Sequence, residues 1–194
     1  MRYPPEHKDR VREKIVHAAS RRFRGHGRAV GIAQLMRELK LTHGGFYRHF
    51  SSKDELFNEA LMASIKHMKG RMLEAAEKAS PDRALEQIVS TYLSIEHCNH
   101  PADGCPLAAL TTEIARQPMA TRRTFERLLR IYSATFAPWM PGRTRAQREH
   151  AAMVLFSGMA GVLNAARAVP DEALRRALLE QGRDFFLRSL RVAP

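Results

Sequence analysis

The sequence predicts an all-α protein. Apolar residues recur at helical spacing along most of the chain, as in the stripe formed by Ile15, Ala19 and Phe23. No sustained alternation of apolar and polar residues indicates strands, and no Asn-Gly or Asp-Gly pair joins two β-branched runs. With 194 residues, 44% hydrophobic and 27% charged, the chain is large and apolar enough to bury a core. We expect about nine helices.

The first 50 residues predict three helices. The stripe of Ile15, Ala19 and Phe23 marks the first, which Gly25 and Gly27 end. A second, shorter stripe covers 32–39, and a third segment covers 42–50. These last two helices are too short to be stable alone in water, so they must pack on a common core.

The rest of the chain predicts longer helices. Ser52 and Glu55 have the spacing of a capping box, and a helix is expected from there through Met72. Ser80-Pro81 marks the next start, with Ser as N-cap and Pro in the first turn. Pro, Gly, Asn and Asp make 99–106 a loop. Further helices are expected over 107–116, 121–136, 146–168 and 171–190.

The charge is unusual in amount and in distribution. The chain has 32 Lys and Arg against 20 Asp and Glu, for a net charge of +12. Residues 1–57 hold 13 of these basic residues and only 6 acidic ones, which makes the N-terminal part the more basic. Such a surplus favours a polyanionic partner, with nucleic acid as the first candidate and an anionic membrane surface as the second.

Several features predict a cytoplasmic protein. Two cysteines are too few for a disulfide-stapled secreted domain, and the N-terminus has no apolar region of the kind that a secretory signal needs. The most apolar stretch, 151–169, is interrupted by Ser157, Asn164 and Arg167, whereas a membrane span needs roughly 20 nearly uninterrupted apolar residues. We expect a buried helix there, and no membrane partner.

The motif that carries the functional prediction is GIAQLMRELKLTHGGFYRHFSSK, residues 31–53. Two short helices joined by a tight turn and followed by a capped helix have the form of a helix-turn-helix. Phe46 and Phe50 share one side of the third helix, and Gly44 and Gly45 point away from that side. Glycine in an exposed helix is destabilising by roughly 1 kcal/mol relative to Ala, which makes sense where the backbone must approach a partner closely. Considered alone, a glycine pair more often marks a turn than a DNA contact. A single histidine is likewise more often an ordinary core or surface residue than a ligand contact.

The segment THGGFYRHFSSKDELF, preceded by IAQLMRELKL, resembles the DNA-binding signature of the TetR/AcrR family of bacterial transcriptional repressors. The resemblance covers residues 8–68, which implies a helix-turn-helix domain there and a helical ligand-binding and dimerisation domain over 69–194. It further implies a homodimer that binds a palindromic double-stranded DNA operator and is released by a small-molecule inducer. It implies neither an enzyme nor a cofactor.

The resemblance also implies which residues contact DNA. Base contacts are implied at the start of the recognition helix, for Thr42, His43, Gly44 and Gly45. Phosphate contacts are implied for Tyr47, His49 and Lys53, and backbone contacts for Gln34 and Arg37. Apart from the resemblance, the side chain of Arg48 can reach base edges or phosphates. The family usually has glycine where this chain has Lys40, in a turn that often needs a positive φ. Lys40 is a further candidate for a phosphate contact.

In the C-terminal part, large apolar residues are candidates for a ligand pocket, although such residues at helical spacing are usually core. The pocket candidates are Met62, Ile65, Met68, Met72, Leu93, Leu110, Phe125, Tyr132 and Trp139. The last two helices are expected to form a four-helix bundle with those of a second subunit, the alternative being packing within one chain. The interface candidates are Ala152, Leu155, Phe156, Met159, Leu178, Phe185 and Phe186.

The segment HCNHPADGC leaves alternatives open. It places His97, Cys98, His100 and Cys105 within nine residues, which suggests a zinc site, although the spacing fits no common zinc motif. A thiol-based redox or electrophile sensor through Cys98 and Cys105 is a second possibility. An enzyme with a Cys nucleophile and a His base is a remote third, because the sequence supplies no oxyanion hole. The plainest interpretation is a structural loop with a buried Cys105.

Overall fold

The computed structural model describes residues 5–191, and the all-α prediction is confirmed. Within that range the chain forms eleven α-helices and two 3-10 turns, with no strand. The N-terminal helices are α1 (Pro5–His26), α2 (Ile32–Glu38), α3 (His43–Phe46) and α4 (Lys53–Ala63). The others are α5 (Ile65–Glu77), α6 (Pro81–Tyr92), α7 (Ile95–Asn99), α8 (Pro106–Ile114), α9 (Met119–Phe136), α10 (Arg145–Ala168) and α11 (Glu172–Arg191). Residues 1–4 and 192–194 lie outside the described range. The first four of these belong to the N-terminal segment in which the sequence predicts no secretory signal.

The expected long fourth helix is two helices. The chain breaks at Ser64, whose buried hydroxyl donates to the Leu61 carbonyl at 2.5 Å, so that α4 ends and α5 begins there. The capping box is formed only in part. The Ser52 hydroxyl accepts the Glu55 N–H at 3.1 Å, but the Glu55 carboxylate accepts from the N–H and hydroxyl of Ser51, both at 2.7 Å. The second half of the predicted box is therefore displaced by one residue.

The N-terminal helices share a small aromatic core. Helix α1 packs along α4, where the rings of Phe23 and Phe57 meet edge to face with centroids 5.0 Å apart. Phe46 and Phe50 are buried as predicted and stack on each other at 5.5 Å. The short α2 and α3 are thus held by packing rather than by their own helical stability.

Helix α10 is the central helix of the C-terminal part. It packs against α8, α9 and α11, and its Phe156 contacts the rings of Tyr92, Tyr132 and Phe136 at centroid distances of 5.7, 5.3 and 4.8 Å. By length and composition alone α10 is apolar enough to cross a membrane. Its Phe156 side is buried in the core, which is the arrangement expected of the buried helix that the sequence predicts.

The two parts of the chain are joined by contacts between α1 and the 3-10 turn Pro101–Asp103. Arg24 is buried at this junction and donates to the Ala102 carbonyl at 2.8 Å and to the Ser20 hydroxyl at 2.5 Å. Arg21 forms an ion pair with Asp103. Because a buried guanidinium without partners is strongly unfavourable, the bond from Arg24 to Ala102, together with the Arg21–Asp103 ion pair, fixes α1 against the segment that precedes α8.

Candidate nucleic-acid interface

The turn between α2 and α3 is a Schellman motif closed by a lysine. The Leu41 N–H donates to the Met36 carbonyl at 2.8 Å, and the Lys40 N–H donates to the Arg37 carbonyl at 2.9 Å. Lys40 has a φ of 58°, the left-handed conformation that glycine adopts most readily. The positive φ that the sequence suggested at this position is therefore present, and the turn keeps its geometry despite the side chain.

Helix α3 presents its polar residues outward. Thr42 is its N-cap, with the hydroxyl accepting the Gly45 N–H at 3.2 Å. His43 and Gly44 are exposed, and Tyr47, at the end of the helix, is 63% exposed although it is aromatic. Phe46 anchors the opposite side in the core. The outward set is thus held on a fixed support and is available to a partner.

The two glycines of α3 differ in their surroundings. A Cβ on Gly45 would lie 3.3 Å from the Thr42 hydroxyl oxygen, so Gly45 makes room for the helix cap. A Cβ on Gly44 would meet nothing within 4 Å. No contact within residues 5–191 therefore explains glycine at position 44, whereas a partner that approaches the backbone closely would explain it.

Arg12 of α1 organises the connection between α3 and α4. Its guanidinium donates to the His49 carbonyl, to Glu55 at 3.0 Å and to Glu59, and lies 4.2 Å from the ring centroid of Phe50. Hydrogen bonds from Ser51, followed by that from Arg12, lower the pKa of Glu55 to about 2. Sequence reasoning missed Arg12, because nothing in the local pattern indicates that a residue 37 positions away reaches His49.

The predicted phosphate-contacting residues lie in a positive field. Burial and the nearby charges of Lys8, Arg12 and Arg48 lower the pKa of His49, so its ring is neutral near pH 7. Burial and Arg28 likewise lower the pKa of Lys53, the first residue of α4. Like charges this close repel one another. An anion bound among them would relieve that repulsion.

A depression of about 690 Å³ lies between the start of α1 and the helix-turn-helix, and no acidic residue lines it within the described range. It brings the predicted residues Lys40, Thr42, Gly45, Arg48 and His49 together. It also adds His7 and Lys8, which the sequence reasoning did not select. Their only signal was their place in the basic N-terminal part. Gln34 and Arg37 lie nearby on α2 and are exposed.

The Cys/His segment is part of the core. His97 is 1% exposed, and its ring nitrogens face the Tyr92 carbonyl at 2.6 Å and the Cys105 N–H at 2.9 Å. With both nitrogens engaged, His97 has none left for a metal ion or for a proton transfer from the Cys105 thiol. Within the described residues, no group of three or more potential ligands could hold a metal ion. Both thiols are buried, and burial raises the pKa of Cys105, which disfavours a reactive thiolate.

The pocket candidates are mostly core. The ones that are at most 5% exposed are Ile65, Met68, Met72, Leu93, Leu110 and Tyr132. Met62, Phe125 and Trp139 are partly buried and pack against that core. Of the nine candidates, Phe125 lines one of three surface depressions found along residues 5–191, and the other eight line none of those three. The helical spacing that suggested a pocket reflects core packing at these positions.

Four of the seven interface candidates are corrected. Ala152, Leu155, Phe156 and Met159 are at most 2% exposed, because they form the side of α10 that packs on α8 and α9. They are covered by their own chain and cannot contact a second subunit. The large apolar residues that remain exposed on these helices are Val154, Leu174 and Phe185, at 72%, 52% and 60% exposure, with Leu178 and Phe186 half-buried beside them.

Comparisons with known proteins agree with this geometry. Residues 15–60 match the family model described as "Bacterial regulatory proteins, tetR family". No curated protein sequence matches the chain. A TetR-family regulator from Cytophaga hutchinsonii has a similar structure, with a TM-score of 0.77 and 19% identity over 96% of this chain and 98% of that one.

Two further solved structures are similar over nearly their whole length. A TetR regulator from Chloroflexus aurantiacus gives a TM-score of 0.77 at 18% identity, covering 96% of this chain and 97% of its own. A TetR-family regulator from Streptomyces coelicolor gives 0.71 at 20% identity, covering 94% and 96%. These likenesses establish the fold, and the family match lies on the segment that includes the helix-turn-helix. Residues 15–60 therefore match the tetR family of bacterial regulatory proteins, and the chain as a whole has the fold of these solved TetR-family structures.

Proposed function

We propose that this chain is a homodimeric repressor that binds a palindromic operator and is released from it by a small molecule. The observation that carries the proposal is the exposed polar side of α3, held by Phe46 and Phe50 and surrounded by basic residues. We keep residues 8–68 as the DNA-binding unit and 69–194 as the ligand-binding and dimerisation unit. The boundary falls inside α5. A DNA-bound regulator of this kind works in the cytoplasm.

The candidate DNA-contacting residues of α2, α3 and the start of α4 have two different roles in this proposal. Thr42, His43, Gly44 and Gly45 enter the major groove, where Gly44 lets the backbone approach the base edges. The side chains that grip the sugar-phosphate backbone around them are Gln34, Arg37, Lys40, Tyr47, Arg48, His49 and Lys53. Phosphate contacts position the protein and contribute most of the salt-dependent affinity, whereas base contacts specify the sequence.

Dimerisation in this proposal uses the open side of α10 and α11. Val154, Leu174 and Phe185 are large apolar residues exposed on neighbouring helices, and Leu178 and Phe186 extend their surface. A Cβ on Gly161 of α10 would meet nothing within 4 Å, which leaves room for another helix to approach. A two-fold dimer would present two recognition helices to the two halves of a palindrome.

The proposal is tested by selecting bound fragments from the source genome at low and near-physiological salt. We expect to recover a palindromic sequence that the protein still binds at the higher salt concentration. Recovery of random fragments that vanish as salt rises would mean that the basic surface binds DNA without specificity, and the proposal would be wrong.

A pair of substitutions separates the two proposed roles. Lys53→Ala should weaken binding to all sequences about equally and lower the salt slope by about 1 for each phosphate that is no longer neutralised. His43→Ala should instead change the sequence preference. Unchanged affinity and slope in Lys53→Ala, measured by fluorescence anisotropy across a salt series, would remove Lys53 from the phosphate-binding residues.

A further inference from the structure

Helices α8 and α9 enclose a surface depression of about 370 Å³ that the DNA-binding role does not use. Its walls are apolar, formed by Ile114 and Ala115 of α8 and by Met119, Phe125 and Leu129 of α9. Met119 is 57% exposed here, although it is a large apolar residue. A concave apolar site of this size is large enough for a small organic molecule.

The charge around this depression is positive and unbalanced. Arg122 and Arg123 line it, and neither forms an ion pair or a side-chain hydrogen bond with any residue in the described range. The acidic residue among the lining side chains, Glu126, is already paired with Arg130 at 2.7 Å. The site therefore combines an apolar floor with two guanidinium groups that lack an anionic partner.

We propose that the depression binds an amphipathic organic anion, with its hydrocarbon part on the apolar walls and its carboxylate between Arg122 and Arg123. A guanidinium presents a planar fork of donors that matches a carboxylate in two-point contact. The apolar walls exclude a small inorganic anion as the best match, because they would remain exposed beside it. The role of this anion as the effector rests on the proposed function, whereas its binding does not.

The depression adjoins a direct connection to the DNA-binding unit. Glu113, beside Ile114 in the last turn of α8, accepts the backbone N–H of Arg28 at 2.8 Å. A Cβ on Gly27, which has a φ of 70°, would lie 3.1 Å from the same carboxylate. The Arg28 side chain in turn pairs with Asp54 of α4. A molecule inserted between α8 and α9 would displace this last turn, and with it the connection between α1 and α2.

The binding site is tested by calorimetric titration of the full chain with decanoate and, separately, with uncharged 1-decanol. Decanoate should bind, and the alcohol should bind more weakly because it cannot use the arginines. The double variant Arg122→Ala/Arg123→Ala should lose affinity for decanoate by about tenfold or more, which corresponds to about 1.4 kcal/mol. Arg127→Ala is the matched control, because it removes one exposed positive charge from α9 outside the depression and should leave affinity unchanged.

A second variant tests the shape of the site without changing its charge. Ala115→Trp places a large side chain in the depression from an exposed position, so it should abolish decanoate binding while the circular dichroism spectrum stays helical. Equal affinities in the double variant and in Arg127→Ala would overturn the proposal. So would undiminished binding in Ala115→Trp, or no binding to the wild type below the concentration at which decanoate forms micelles.

The effector role is tested with an operator fragment from the genomic selection. Decanoate should weaken operator binding by the wild type and not by the double variant, and Glu113→Ala should bind decanoate but lose most of the response. If decanoate binds through the arginines and no operator exists, the proposed function fails and the site stands. If an operator is bound and decanoate at this site leaves its affinity unchanged, the effector role fails and the proposed function stands.

Discussion

Two short segments of this chain are rich in the same residue types and are used in opposite ways. Residues 42–49 and residues 97–105 each contain two histidines and at least one glycine. In the first, His43 and Gly44 face solvent on the outside of α3. In the second, His97 and Gly104 are buried between α6 and α8. Histidine and glycine thus belong to a candidate binding surface in residues 42–49 and to the packed core in residues 97–105. The difference between the two segments is the solvent exposure of these residues.

The largest expected effect compares the glycines of these two segments. A Cβ on Gly104 would lie 2.6 Å from Nε2 of His97, which is held by a buried hydrogen bond, and 3.2 Å from a guanidinium nitrogen of Arg167, which is held by a partly buried one. Gly104→Ala should therefore lower the free energy of unfolding by about 3 kcal/mol, because it overpacks the core and breaks a buried hydrogen bond. Urea denaturation of the purified chain measures this.

Gly44→Ala is the matched substitution in the exposed segment. Its Cβ meets nothing in the chain, so it should raise the free energy of unfolding by up to about 1 kcal/mol while weakening operator binding. If both alanine variants had the same stability, the contrast between a packed and an open segment would be wrong.

The second prediction uses the pH dependence of the buried histidine. Burial is the main cause that lowers the pKa of His97 to about 4 from its usual value near 6.5, and the charges of Arg167 and Arg71 add to it. Between these values the unfolded chain binds a proton that the folded chain does not bind. The free energy of unfolding should therefore have its highest value above pH 6.5, and it should fall by up to about 3 kcal/mol as the pH drops towards 4.

His97→Gln provides the control for this prediction, because glutamine does not titrate. The stability of that variant should be lower than that of the wild type at pH 7 and should vary less between pH 6.5 and 4. A wild-type stability that stays flat across this interval in thermal denaturation would show that His97 accepts a proton without loss.

The third prediction concerns the turn that positions α3. Lys40 holds a φ of 58°, and replacing a non-glycine residue in this region by glycine removes about 1 kcal/mol of backbone strain. Lys40→Gly should raise the melting temperature and weaken DNA binding modestly, because a positive charge beside the recognition helix is removed. Lys40→Ala is the control, because it keeps the strain and removes only the charge. Equal melting temperatures for the Gly and Ala variants would contradict a strained turn.

The smallest expected effect comes from His49, the partly exposed counterpart of His97. Its pKa is lowered by burial and by Lys8, Arg12 and Arg48, so in free protein it is largely neutral at pH 7. A phosphate beside the ring would favour the protonated form. Operator affinity should therefore rise a few-fold as the pH falls from 7.5 to 6, about 0.5–1 kcal/mol. In His49→Gln this rise should disappear; if it persists, another group takes up the proton.

Much of the DNA-binding unit was predictable because its signals are local. Helical spacing and the Phe46–Phe50 pair depend on residues within one or two turns, and the structure has both. The division of the long helix at Ser64 and the displaced capping bond of Glu55 were missed. In each case a side chain hydrogen-bonds to one of several nearby backbone groups. The spacing of residues along the sequence does not decide which of those groups it bonds to.

The tertiary structure alone decided which apolar and polar residues are covered. The sequence by itself determined the all-α class, the position of the helix-turn-helix and the basic N-terminal part, because periodicity and charge are properties of neighbouring residues. It did not determine that Phe156 is core while Phe185 is open, that Arg12 reaches His49, or that His97 is fully bonded. Those outcomes depend on which helix packs against which, and contacts between distant segments form only when the whole chain folds.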